Sequence, residues 1–123
     1  MTKVGEHITL DIIGTTKEYD PSLFEKVIND IAKAANVTIL NISKYKFEPQ
    51  GFTILALLAE SHISFHTFPE KGIISFDFFT CGKVNPSIAI DIIKKNFEHK
   101  RIVKKEFNSC LLYTSPSPRD PIG

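Results

Sequence analysis

Two histidines, two serines and two glutamates crowd into one short stretch, Glu60-Ser61-His62-Ile63-Ser64-Phe65-His66-Thr67-Phe68-Pro69-Glu70. Further along, Phe79-Thr80-Cys81-Gly82 places a cysteine beside a glycine where an apolar run ends. A hydroxyl, an imidazole, a thiol and a carboxylate are the parts of nucleophilic and acid–base chemistry. On residue types alone, three readings stay open. Ser61, His62 and His66 could be the solvated face of an amphipathic strand. His62 and His66 share strand parity and could hold a metal with Cys81 or His7. Two ligands four apart on one strand match no common zinc spacing, so no metal is assigned. Cys81 could also be the nucleophile of a Cys–His pair.

These residues need elements to position them. Ile8, Leu10 and Ile12 alternate with His7, Thr9 and Asp11, which predicts a half-buried strand over 7–12. Asp20-Pro21 offers a helix cap and a first-turn proline, and Leu23, Phe24, Val27, Ile28, Ile31 and Ala35 follow at helical spacing. A helix over 21–35 is predicted. Strands follow over 37–46 and 52–58, separated by the turn Glu48-Pro49-Gln50-Gly51. From His62 to Phe68, Ile63 and Phe65 point one way and His62, Ser64 and His66 the other. Pro69-Glu70-Lys71-Gly72 turns the chain into a strand over 73–80, with Ile74, Phe76 and Phe78 on one side. Asn85-Pro86 reads as a second cap pair before a helix carrying Ile88, Ala89, Ile92, Ile93 and Phe97. A last strand spans 101–107. The order β-α-β-β-β-β-α-β with short turns implies antiparallel pairing. It predicts an α+β two-layer sandwich, two helices covering one face of the sheet.

With 123 residues the chain is long enough for one core and too short for two. Apolar residues at 42% and charged residues at 24% are those of a globular domain, and a net charge of +1 argues against a nucleic-acid or anionic-membrane partner. No apolar run reaches about 18 residues, and the N-terminus lacks a signal-peptide core, so a cytoplasmic location is expected. Cys81 and Cys110 form no disulfide framework. The domain is expected to span 1–108. Residues 109–123, with Thr114-Ser115-Pro116-Ser117-Pro118-Arg119, read as a disordered or foreign tail.

The run Ala59 to Glu70, together with Phe79-Thr80-Cys81-Gly82, Phe47-Glu48-Pro49-Gln50-Gly51 and Gly5-Glu6-His7 to Asp11, resembles bacterial and archaeal S-adenosylmethionine decarboxylases over about residues 5–105. The resemblance implies a proenzyme that cuts its own backbone between Glu60 and Ser61, giving a β chain and an α chain. Ser61 would become a pyruvoyl group, a ketone able to form a Schiff base with a substrate amine and to draw off electrons as carbon dioxide leaves. It implies His66 as base on the Ser61 α-proton, with Thr53, where the family usually has serine, assisting. Cys81 would be the proton donor to the substrate carbon, Phe47 the stacking partner of the adenine, and Glu70 the acceptor for the ribose hydroxyls. Phe68 stands in place of a common tryptophan. The product would feed spermidine synthesis.

Ser61 and His66 are five residues apart in an extended segment, so about 16 Å apart on opposite faces. A homodimer with shared active sites, His66 of one copy serving Ser61 of the other, resolves this. Two alternatives remain at this stage: a pyruvoyl decarboxylase of arginine or ornithine, and an unprocessed homologue acting as a binding or regulatory subunit.

Overall fold

The Asp20 carboxylate accepts the Ser22 backbone N–H at 2.9 Å and Pro21 sets the first helical φ, so the first helix, α1, begins where the cap chemistry dictates. It runs Pro21–Ala35 and ends at Asn36, which takes the left-handed conformation at φ 58°. A computed structural model describes residues 3–81 and 84–110 of the chain. The strands are β1 (Lys3–Ile13), β2 (Ile39–Lys46), β3 (Phe52–Leu58), β4 (Ser61–Phe68), β5 (Ile73–Cys81) and β6 (Arg101–Cys110), and the second helix, α2, spans Ile88–Asn96. One 3-10 turn, Pro69–Lys71, joins β4 to β5 and closes on left-handed Gly72.

The six strands form one sheet in the order β2-β3-β4-β5-β1-β6, each neighbouring pair antiparallel. The α+β sandwich expected from the pattern is the fold observed. Its core is the helix-facing side of the sheet. Ile8, Leu10, Ile12, Ile54, Phe65 and Phe76 are fully or almost fully buried there. Phe24 and Ile28 of α1 and Ala89 and Ile93 of α2 complete the cluster. Phe24 meets Phe52 edge-to-face at 4.7 Å and Phe65 at 5.2 Å. Burying each such ring contributes about 2–3 kcal/mol.

Several boundaries differ from the sequence expectation: β2 begins at Ile39 rather than at 37, β4 at Ser61 rather than at His62, and β5 runs on to Cys81. Asn85 caps a turn rather than the helix: its side chain accepts the Ser87 N–H at 2.9 Å, and α2 begins at Ile88 after Ser87, which makes no side-chain cap. The first strand starts at Lys3, because β6 and β5 continue to pair with it past His7. The last strand reaches Cys110, paired with Lys3, two residues beyond the expected end of the domain at 108. The remainder of the expected tail, residues 111–123, lies outside the described residues.

The other face of the sheet carries no helix among the described residues. Register lines its side chains into rows across the strands, in sheet order from β2 to β6. One row is Asn41, Leu57, His62, Phe79, His7 and Phe107; the next is Ser43, Leu55, Ser64, Asp77, Thr9 and Lys105. A third is Tyr45, Thr53, His66, Ser75, Asp11 and Val103. Leu55, Leu57, Tyr45 and Phe107 are exposed on this open face.

Candidate active site

The turn between β3 and β4 holds only Ala59 and Glu60, because Leu58 already pairs with Ser61. So tight a reversal needs a positive φ, and Glu60 supplies it at 63°, with no glycine to relieve the clash. The Ala59 N–H donates to the Thr38 carbonyl at 3.0 Å and pins the turn to the start of β2. Ser61 follows, buried on the helix-facing side, and its Oγ has no hydrogen-bond partner among the described residues. A strained carbonyl donor residue thus precedes an unengaged hydroxyl, next to each other in the chain.

At the other end of β4, four of the expected residues line one cavity. Phe47, Thr53, His66 and Glu70, joined by Gln50, Thr67 and Phe68, surround about 290 Å³. Pairing of β3 with β4 sets Thr53 opposite His66, and the Thr53 hydroxyl lies 2.9 Å from His66 Nδ1. The turn before β3 is closed by the Phe47 N–H donating to Gly51 O at 2.8 Å. Gly51 sits at φ 93°, its Cα against the Thr67 carbonyl, where a Cβ would come to 3.0 Å. That turn turns Phe47 back over the cavity, half exposed and 4.9 Å from the Tyr45 ring. Glu70 rides on the 3-10 turn, its Oε1 3.5 Å from the Gln50 amide nitrogen. The mouth is therefore an aromatic ring, a carboxylate and an imidazole: a stacking surface, a hydroxyl acceptor and a proton carrier.

Cys81 ends β5 as a free, half-buried thiol opposite Gly5. Gly5 admits the Phe79 ring, since a Cβ there would come within 2.6 Å of Cζ. The structure therefore gathers Phe47, Thr53, His66 and Glu70, and leaves Glu60, Ser61 and Cys81 at the opposite end of the sheet. His66 lies five residues along β4 from Ser61, about 16 Å away at strand rise, with its side chain on the open face. His62 and His66 do not converge either. Instead His62 Nε2 lies 3.1 Å from Asp77 Oδ1, and His7 Nε2 lies 3.4 Å from the same oxygen. Asp77 went unremarked in the sequence. Its parity with Phe79 was visible, but its neighbours come from β4 and β1 and depend on strand pairing.

The known proteins similar to this chain share one family. A sequence model of the S-adenosylmethionine decarboxylase family matches residues 6–109. An S-adenosylmethionine decarboxylase proenzyme of Prochlorococcus marinus is 40% identical over 107 residues, 85% of this chain and 86% of the relative. One of Methanococcus maripaludis is 40% identical over 105 residues, 83% and 86% of the two chains. The crystal structure of the adenosylmethionine decarboxylase from Aquifex aeolicus superposes with a TM-score of 0.80 at 31% identity, covering 95% of this chain and 99% of that one. A match that runs from the first strand to the last, over a shared fold and with the strained Glu60–Ser61 link inside it, makes this chain a member of the S-adenosylmethionine decarboxylase family.

Proposed function

We propose that the chain cuts itself between Glu60 and Ser61 and then decarboxylates S-adenosylmethionine, the step that supplies aminopropyl groups for spermidine synthesis. Family members use a pyruvoyl group made from an internal serine. The observation that carries the reading here is the left-handed Glu60 followed by a Ser61 Oγ that is buried and unpartnered. A buried hydroxyl without a partner is costly, and strain of this kind persists where the fold over-determines it. Both fit a residue kept for chemistry, so the residues present suit the group.

In self-cleavage Ser61 Oγ attacks the Glu60 carbonyl carbon, and the peptide C–N bond gives way to an ester. Removal of the Ser61 α-proton expels the Glu60 carboxylate, freeing a chain that ends at Glu60. The dehydroalanine left at 61 tautomerises to an imine, and hydrolysis releases ammonia and leaves the keto group. Once formed, the pyruvoyl ketone supplies an electron sink for decarboxylation. His66 serves as base for the α-proton, held by the Thr53 hydroxyl on Nδ1. Cys81 delivers a proton to the substrate carbon, Phe47 stacks on the adenine, and Glu70 accepts from the ribose hydroxyls.

His66 cannot reach the Ser61 of its own copy across about 16 Å. A homodimer joined through the open sheet faces would bring one copy's His66, Phe47 and Glu70 to the other's Cys81 and to the backbone of its Ser61. The exposed Leu55, Leu57, Tyr45 and Phe107 support such a contact. The edge strands do not invite sheet extension, since β2 carries Lys44 and Lys46 and β6 carries Lys104 and Lys105. No helix among the described residues is long and apolar enough to cross a membrane.

Intact mass under denaturing conditions tests the reading. Two species are expected, one ending at Glu60 and one starting at residue 61 and lighter by one ammonia than its sequence. A single chain that persists through long incubation would refute it.

A further inference from the structure

Near the middle of the open face lies a polar cluster that the proposed steps do not use. Asp77 Oδ1 is 3.1 Å from His62 Nε2, and Oδ2 accepts the Ser64 hydroxyl at 2.5 Å. His7 Nε2 is buried, makes no hydrogen bond among the described residues, and stands 3.4 Å from Asp77 Oδ1. Aromatic rings flank its two histidines: Phe79 stacks on His62 at 5.8 Å and meets His7 edge-on at 5.9 Å, and Phe107 approaches His7 at 6.2 Å. One carboxylate thus ties β5 to two successive open-face residues of β4 and stands within ion-pair distance of β1.

The position of that tie matters. His62 is the residue directly after Ser61, and Phe79 lies two residues before Cys81. An ionised carboxylate only accepts, so His62 must carry its proton on Nε2, and ring orientation and tautomer are fixed together. Ile63 is locked into the core on the opposite face. Residues 62 and 63 are therefore held from opposite sides of the sheet, and the two-residue turn has no slack on its C-terminal side. We infer that Asp77 is a positioning residue for self-cleavage: through His62 it holds the strand after the Glu60–Ser61 bond, keeping the turn in its strained form. The inference rests on the self-cleavage reading above and adds a residue to it.

The test follows cleavage of freshly made full-length protein by intact mass in Asp77→Asn, His62→Leu and His62→Gln variants. Each variant is also made with Ser61→Ala, so that melting and imidazole nitrogen shifts can be read on a chain that stays whole. A misplacement of about 1 Å can cost on the order of a hundredfold, so Asp77→Asn and His62→Leu are expected to cleave at least about tenfold more slowly. His62→Gln, whose amide can still donate to Asp77, recovers most of the rate. In the Ser61→Ala background the His62 nitrogen shifts report the Nε2–H form, and Asp77→Asn moves them. Wild-type cleavage in Asp77→Asn, or equal rates for the Leu and Gln variants, would overturn the inference alone. So would a stoichiometric divalent metal in the purified protein that Asp77→Asn removes, since the ligand atoms of His7, His62 and Asp77 all lie within 4.8 Å of one another. A wild-type chain that never cleaves would remove the self-cleavage reading, and this inference with it.

Discussion

Replacing Glu60 by glycine should slow self-cleavage although it removes no hydrogen bond that the turn depends on. Glu60 sits at φ 63°, where a side chain meets its own backbone. For a residue other than glycine that conformation costs about 1–2 kcal/mol. Cleavage makes residue 60 a chain end, free to leave the left-handed region, so the strain is stored in the intact chain and released along the reaction. Glycine adopts the same φ without penalty and has no strain to release. If the transition state recovers all of it, Glu60→Gly should cleave between about fivefold and thirtyfold more slowly. Glu60→Gln keeps the strain and loses only the charge, so it should stay within about twofold of wild type. Glu60→Asn should fall between, because asparagine tolerates this region better than most residues. Translation in vitro, sampled on a denaturing gel, gives the rates. A second readout comes from the Ser61→Ala background, where the glycine variant gains the relieved strain but loses roughly 0.5–1 kcal/mol to chain entropy, and so should melt at or slightly above the glutamate form. Equal cleavage rates for the Gly and Gln variants would refute the idea that the turn is strained for a purpose.

Ser61→Ala should remain a single chain and be more stable than the wild-type precursor by about 1 kcal/mol, since it removes a buried hydroxyl without a partner; thermal melting beside mass analysis checks both halves. Thr53→Val keeps the shape but loses the 2.9 Å contact with His66 Nδ1, and should slow cleavage by about tenfold, with Thr53→Ser close to wild type. Mixing Ser61→Ala with His66→Ala subunits after co-expression should restore cleavage of the His66→Ala chains, whereas either variant alone stays whole; no restoration would argue against shared sites. Acid stability should depend on two exposed carboxylates. The Ser22 backbone N–H, followed by its hydroxyl, holds Asp20 below its ordinary range, and the Thr16 backbone N–H and hydroxyl do the same for Glu98. Both folded values are depressed, so their contribution is present above the unfolded carboxyl range and is lost as pH falls through the folded values. Melting temperature between about pH 6 and pH 2 should therefore fall more steeply in wild type than in an Asp20→Asn, Glu98→Gln variant.

The local elements, and candidates for the reacting atoms, were legible in the sequence alone. Alternation at Ile8, Leu10 and Ile12, at Ile63 and Phe65, and at Ile74, Phe76 and Phe78 marked the faces that are buried. Burial follows side-chain period, and period is a local property. Asp20-Pro21 located the start of α1 because a cap acts over two residues. Asn85-Pro86 misled for a related reason: the same side-chain bond also closes a simple turn, and only the path of the chain into α2 decides which is made. The neighbouring blocks around Ser61 and Cys81 were legible as chemistry because family resemblance ties residue types to order along the chain.

What required the tertiary structure was everything that crosses strands. Thr53 meets His66 because of β3–β4 register, and Asp77 meets His62 and His7 because β5 lies between β4 and β1. No spacing in the chain encodes that β1 inserts between β5 and β6, which is a choice of the whole sheet. The left-handed Glu60 was equally hidden. Nothing in the residue type predicts it; the two-residue closure between paired strands imposes it, because a one-residue slip on either side would turn Ile54 and Phe65 out of the core.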